Sequence, residues 1–261
     1  MAESILRSVD YPEKFEALEY LKRYYGTPAG SYYTSLELYH EAFKSLPTGL
    51  RILDYGCGPS IRGAISAAAN ASEIVLSDYT EDCRRVVRQW LEKDPDAFDW
   101  SHYFNHVVKD LEGKGEKEVE EKKEEVRRLV KAVVHCDLTQ DPPIERGYDQ
   151  QYDVVMSSLC IEAVVGSREE YAQGMKKLAK LVKPGGTLLI LSVEIKGEDG
   201  FYVVGEKKFR AFGVAPDVTR KVMTDAGISV VNLQVLKIPE SEEDSRLVSF
   251  VFIQGIKESK Q

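Results

Sequence analysis

Apolar positions along the chain change their period several times, and those changes outline the elements. Leu50, Ile52 and Leu53 begin a short apolar run that breaks at Gly56 and Gly58, after which small residues from Ala64 to Ala69 predict a helix. Similar short runs recur in EIVLSDY, AVVHCDL, YDVVMSSLC and TLLILSV. The near-continuous ones suit strands of a parallel sheet covered on both faces. Between them, EDCRRVVRQWLEKD predicts a helix with Val86, Val87, Trp90 and Leu91 facing inward, and REEYAQGMKKLAKLV predicts another, closed by Lys183-Pro184-Gly185-Gly186. After the helix PDVTRKVMTDAG, the segments ISVVNLQVLKI and RLVSFVFIQGI predict an antiparallel hairpin at the sheet edge. No internal repeat or low-complexity linker divides the chain. The pattern predicts a single α/β domain over residues 1–261, with an N-terminal lid over about 1–44 and a charged helical insertion over about 105–131.

Composition narrows the picture. The 261 residues are 43% hydrophobic and 30% charged, an ordinary soluble balance, and a net charge of −8 argues against binding nucleic acid phosphates. No apolar run approaches the ~18 residues of a membrane helix, and the N-terminus lacks the basic start and apolar core of a secretory signal. Cys57, Cys83, Cys136 and Cys160 form no CxxC pair, which suits reduced thiols in a cytoplasmic protein. Acids match or exceed bases in the 109–131 charge run, where Val119, Val126 and Val130 mark the narrow buried edge of an exposed helix. His102 and His106 are four apart but lack a clear third ligand, so no metal is expected.

The candidate chemistry begins at LRILDYGCGPSIRG. Strand, glycine turn and helix place backbone N–H groups and a helix N-terminus against a small ligand. A dinucleotide fingerprint needs a third glycine where Ile61 stands, and Asp54 before the turn would repel a pyrophosphate. S-adenosylmethionine, with an ammonium, a sulfonium and no phosphate, suits that acid. Asp78, twenty-two residues beyond Gly56, is placed to accept both ribose hydroxyls of an adenosine, although Thr80 and Asp82 nearby also suit a helix cap. Asp137 ends the next predicted strand, where an acid and a backbone amide can meet an adenine ring. Seven of the fourteen tyrosines lie in residues 1–44: Tyr11, Tyr20, Tyr24, Tyr25, Tyr32, Tyr33 and Tyr39. They suit either rings packed on the domain or a lid around an apolar or cationic ligand.

The motifs DYGCGPSI, SDY, WLEKDPDAFDWS, CDLTQ, SSLCIEA and LVKPGG, in that order from Tyr11 to about Lys257, resemble the small-molecule amine N-methyltransferases, which include the nicotinamide, phenylethanolamine and indolethylamine enzymes. The resemblance implies the class I methyltransferase fold: a Rossmann-like, seven-stranded, mostly parallel sheet whose last strand is antiparallel. It implies S-adenosylmethionine as methyl donor, S-adenosylhomocysteine as product and a small amine as acceptor, with the protein expected to be a monomer. Carried over by position, it places Tyr11, Tyr20, Tyr25, Gly56, Cys57, Ser60, Asp78, Tyr79, Thr80, Asp137, Leu138 and Ser158 around the donor. Arg62 stands where a tyrosine is usual and Cys83 where an asparagine is usual.

On the acceptor side the resemblance makes Glu162 the catalytic acid-base residue and places Tyr20, Tyr24, Glu162, Ser192, Glu194, Ala211 and Asp244 near the substrate, with Glu243 beside Asp244. Ser192 falls where nicotinamide enzymes carry an aspartate, and Ala211 where they carry a serine, which counts against nicotinamide as the preferred substrate. An alkylamine arrives protonated and needs a base, whereas a pyridine does not. The alternatives are an O- or S-methyltransferase of small molecules and a catalytically silent binder of S-adenosylmethionine.

Overall fold

The computed structural model describes residues 5–27, 31–238 and 246–259. At the N-terminus a short 3₁₀ turn (Ser8–Asp10) leads to α1 (Tyr11–Lys14), α2 (Ala17–Tyr25) and α3 (Ser31–Lys44). Then come β1 (Leu50–Tyr55), α4 (Arg62–Ala67), β2 (Ala71–Asp78), α5 (Glu81–Leu91), α6 (Ser101–Asn105), a π-helical turn (His106–Leu111), α7 (Glu116–Leu129) and β3 (Val130–His135). The second half runs β4 (Tyr152–Ser158), α8 (Ile161–Val164), α9 (Arg168–Leu181), β5 (Val182–Ile195), β6 (Asp199–Val204), β7 (Lys207–Phe212), α10 (Pro216–Asp225), β8 (Ile228–Lys237) and β9 (Leu247–Lys257).

Seven strands form one sheet in the order β3-β2-β1-β4-β5-β9-β8. All run parallel except β9, which is antiparallel to both neighbours. The central strands β1 and β4 are apolar on both sides because both faces are covered, and Ile52, Leu53, Val154 and Val155 are all buried. One core cluster joins Ile52, Leu76, Met156 and Leu191 to helices α2 to α7; the other joins Leu53, Val155, Leu188 and Ile253 to α8, α9 and α10. Local caps agree with this packing. The Thr80 hydroxyl accepts from Cys83 N at 3.3 Å to start α5, and the Ser167 hydroxyl from Glu170 N at 3.2 Å to start α9.

The closing segments form the expected antiparallel hairpin at the sheet edge, with β9 against β5 and β8 outermost. Burial explains the order, since Ser249 to Gly255 of β9 are all buried while β8 alternates toward solvent. Val130 begins β3 rather than extending the α7 stripe, which is Val119, Val126 and Leu129 together with Lys122, paired to Glu112. The third strand ends at His135, so Asp137 lies in the turn beyond it.

The 199–212 segment is a second, two-stranded sheet, β6–β7, which the sequence expectations missed. Gly205-Glu206 between FYVV and KKFRAF is the two-residue, glycine-led turn that matches strand twist in hairpins. Leu6 pairs in parallel with Phe209, donating from its N–H to the Lys208 carbonyl at 2.8 Å and accepting from Arg210 N at 2.8 Å. Hairpin and N-terminus are thus one layer over the C-terminal ends of β1, β2 and β4.

Candidate active site

Those strand ends open into a cavity of about 740 Å³, within the range that encloses a small-molecule ligand. Its floor is the turn after β1. Gly56 has φ 69°, and a Cβ there would stand 2.1 Å from Cys160 Sγ, so only glycine lets the β1 turn meet the end of β4. Gly63 allows a second close approach: its added Cβ would be 2.2 Å from Asp54 Oδ2, so α4 packs directly on that carboxyl.

Charge is concentrated on this floor. Burial pushes Asp54 up to about 7, with Asp78 adding to the rise and Arg62 opposing it. The Arg62 guanidinium is buried, donates to Ser35 Oγ at 2.6 Å and lies 5.7 Å from the Tyr25 ring centroid. The Ser60 hydroxyl accepts from Arg62 N at 3.1 Å. Asp78 accepts from Gly58 N at 2.9 Å, Thr80 N at 2.9 Å and Thr80 Oγ1 at 3.1 Å. Burial raises its pKa while these hydrogen bonds hold it down, and they fix the carboxylate with lone pairs remaining for a ligand. Thr80 therefore serves both as helix cap and as Asp78 partner. Asp137 Oδ1 accepts from Thr139 N at 2.9 Å and Thr139 Oγ1 at 2.7 Å, which shapes the turn beside Leu138.

All twelve expected donor-side residues reach this cavity wall. The lid rings are packed and also bound: Tyr11 OH lies 2.5 Å from Tyr202 OH, and Tyr20 sits 5.0 Å from Tyr24 and 5.9 Å from Tyr25, centroid to centroid. Tyr24 OH donates to the Val203 carbonyl at 2.9 Å and accepts from Val203 N at 3.1 Å, so α2 is bonded to β6. The Ser158 hydroxyl shares a 2.6 Å hydrogen bond with Tyr39 OH. Cys57, Cys83, Cys136 and Cys160 also line the wall, and burial raises their pKa values, keeping them neutral thiols rather than nucleophiles.

The acceptor end is mixed. Glu162, in the first turn of α8, is buried and on the wall; burial pushes its carboxyl up to about 7, against hydrogen bonds that include one from the Ser192 hydroxyl at 2.5 Å. Tyr20, Tyr24 and Ala211 line the cavity with it. Ser192 and Glu194 do not. Side chains alternate along β5, so Val193 and Ile195 face the cavity while Ser192 turns behind Glu162 and Glu194 accepts from Ser249 Oγ at 2.8 Å. Glu243 and Asp244 lie outside the described residues.

The hairpin adds Phe201, Tyr202 and Val203 to the wall, residues the sequence expectations missed; the two-residue Gly-Glu turn between FYVV and KKFRAF was the available signal. His102 and His106 serve structure: His102 Nε2 meets the Tyr25 carbonyl at 3.0 Å, and His106 lies between Glu37 at 2.9 Å and Asp110 at 2.8 Å. Among the described residues no group of three His, Cys, Asp or Glu is arranged to hold a metal ion, and no helix is long and apolar enough to cross a membrane.

The floor fits S-adenosylmethionine: two buried carboxyls and a buried guanidinium match its ammonium, carboxylate and ribose. Solved structures share the fold. A magnesium protoporphyrin IX methyltransferase from Synechocystis with bound S-adenosylhomocysteine superposes with a TM-score of 0.59 at 14% identity, covering 96% of this chain and 97% of that one. Human nicotinamide N-methyltransferase is 32% identical over 233 residues, 87% of this chain and 86% of the relative. Mouse indolethylamine N-methyltransferase is 32% identical over 240 residues, 89% of each. The NNMT/PNMT/TEMT family model matches residues 3–255, and the chain belongs to that family of S-adenosylmethionine-dependent N-methyltransferases.

Proposed function

We propose that this enzyme methylates the nitrogen of a small, ring-bearing basic amine of the phenylethylamine or indolethylamine kind, in preference to nicotinamide. The observation that carries this reading is Glu162, a buried carboxyl at the acceptor end whose pKa is raised to about 7. An alkylamine offers a lone pair only after losing a proton, and a base poised near neutral pH can take it. A pyridine needs no such step, and the nearby serine, Ser192, is tied to Glu162 rather than facing the cavity.

S-adenosylmethionine, when bound, supplies a sulfonium methyl already activated toward displacement. Asp78 would hold the ribose hydroxyls, Asp137 and Leu138 would meet the adenine, and Asp54 with Arg62 would take the amino-acid end, all from the cavity wall. Tyr11, Tyr20 and Tyr25, on the same wall, would cover the donor and exclude water. Glu162 accepts the ammonium proton, so that the neutral nitrogen forms its bond to the methyl carbon as the carbon–sulfur bond breaks. Tyr20, Tyr24 and Phe201 form the walls for an aromatic acceptor and face the positive charge that develops on nitrogen. Alignment in this closed space supplies most of the rate.

The whole of residues 1–261 acts as one catalytic domain, with about 1–44 as lid and about 105–131 as a peripheral insertion. Four free cysteines suit a reducing cytoplasm, and a net charge of −8 suits a small-molecule enzyme that leaves nucleic acids alone. The test is a methyl-transfer screen over phenylethylamines, indolethylamines, pyridines, phenols and thiols, read as S-adenosylhomocysteine release. Basic amines are expected to lead. Turnover confined to phenols or thiols, or none at all, rejects this function.

A further inference from the structure

Behind Glu162, on the face of the sheet away from the cavity, lies a line of buried hydroxyls that the chemistry above does not use. Ser192 of β5 donates to Glu162 Oε1 at 2.5 Å. The Tyr171 hydroxyl of α9 lies 3.0 Å from Ser192 Oγ, and Thr219 Oγ1 of α10 lies 3.5 Å from Tyr171 OH. Tyr171, Ser192 and Thr219 are all at 0% exposure, and Glu162 is at 3%. The polarity of the line follows from proton counting. A carboxylate accepts only, so the one Ser192 proton goes to Glu162; Tyr171 must then donate to Ser192, and Thr219 to Tyr171. Each donor sharpens the next, because a hydroxyl that accepts a hydrogen bond donates a stronger one.

We propose that Ser192 and Tyr171 are positioning residues for methyl transfer to basic amines: they form a donor line that holds the Glu162 carboxylate ionised and fixed toward the acceptor. Three elements converge to build the line, and none of its members touches the cavity, so its effect passes through Glu162 alone. Ser192 therefore has a role here other than direct contact with substrate.

The surroundings leave that role to the hydroxyls. Cys160, beside α8, is a neutral thiol. Glu170 of α9 accepts from Gly166 N at 2.7 Å, and Glu194 of β5 from Ser249 at 2.8 Å. Arg210 of β7 donates to Asp199 at 2.8 Å, and Lys208 of β7 lies 5.0 Å from the Phe201 ring centroid. Across the cavity stand Asp54 and Asp78 and the lid phenols. None of these is hydrogen-bonded to Glu162 in the described contacts, whereas Ser192 is, with Tyr171 behind it.

The consequence for the acceptor rests on the amine reading, but the carboxyl can be watched without it. The experiment is carbon-13 NMR titration of ligand-free protein labelled at glutamate carboxyls, with Glu162 assigned by Glu162→Gln. Ser192→Ala is expected to raise the Glu162 midpoint by about one pH unit, since a hydrogen bond to the charged form is lost. Tyr171→Phe, which removes only the hydroxyl behind Ser192, is expected to raise it by a smaller amount, and Ser192→Thr restores the native midpoint. In turnover, the acid limb of the alkylamine kcat/KM profile moves by the same increments. Unmoved midpoints in both Ser192→Ala and Tyr171→Phe overturn the donor line even where amine transfer is intact. Shifted midpoints in a protein that methylates no amine uphold the line and reject the amine reading.

Discussion

The two halves of the cavity are built by different kinds of chain. The donor half is made from three consecutive strand ends, β1, β2 and the turn after β3, and its acids Asp78 and Asp137 each take hydrogen bonds from two residues ahead, Thr80 and Thr139. The acceptor half is assembled across long separations: α2 is bonded to β6 through Tyr24 and Val203, and Leu6 to β7 through Lys208 and Arg210. Local construction fixes the donor half before any ligand arrives. The acceptor half depends on contacts between the N-terminal helices and a hairpin far along the chain.

The strongest way to break this comparison is at Asp78. Asp78→Ala removes the proposed acceptor of the ribose hydroxyls and strands the Gly58 and Thr80 donors, so affinity for S-adenosylhomocysteine should fall by about 100-fold or more in calorimetry. The loss should be the same whichever acceptor is present. Glu162→Gln is the mirror experiment: kcat/KM for alkylamines should drop by about 100-fold, pyridines by far less, and S-adenosylhomocysteine affinity should hold. Equal losses on both acceptor classes would contradict Glu162 as the base for the amine.

Arg62 tests the donor half more finely. It is the one buried cation on the floor in the described structure, and it stands near Asp54, which its charge keeps from rising further. If it receives the donor's carboxylate, Arg62→Met should weaken S-adenosylhomocysteine by about tenfold. Binding of 5′-methylthioadenosine, which lacks the amino-acid end, is the control and should move little. A matching loss for both ligands would place Arg62 in the scaffold through Ser35 and Tyr25 instead. Tyr24→Phe, which unbonds α2 from the hairpin, should raise KM for the amine by a few-fold and leave donor affinity nearly unmoved.

What the sequence made legible follows the same division. Asp54, Gly56, Asp78 and Asp137 were readable because each sits at a fixed step from an apolar strand, and short-range spacing survives folding. Arg62 was visible only as a departure from the family, and its contact with Ser35 of α3 was not. The acceptor half was harder. Ser192 and Glu194 were placed at the substrate by counting along β5, but strand alternation turns both away and presents Val193 and Ile195. The β6–β7 hairpin is short and half-exposed, so its alternation carried little apolar contrast, and its pairing with Leu6 depends on residues two hundred positions apart. Similarly, only the difference in burial between the two closing segments separates the inserted β9 from the edge strand β8.

The smallest expected effect separates the halves by proton linkage. Burial raises both Asp54 on the donor floor and Glu162 at the acceptor end to about 7. An acid with a folded pKa above its unfolded value binds its proton more tightly when folded, so its stabilising contribution is present at low pH and lost as pH rises through 7. Between pH 6.5 and 8 each group should cost the ligand-free protein about 0.8 kcal/mol of stability. Below pH 6.5 the slope is complicated by His40, whose pKa is lowered mainly by burial and which then disfavours the folded state. Denaturant unfolding across pH 6.5 to 8 should therefore show stability falling with pH. Glu162→Gln should remove about half of that fall. Saturating S-adenosylhomocysteine, whose ammonium stabilises the ionised form of Asp54, should remove the other half. A slope that ignores the substitution but vanishes with ligand would put all of the linked protons in the donor half.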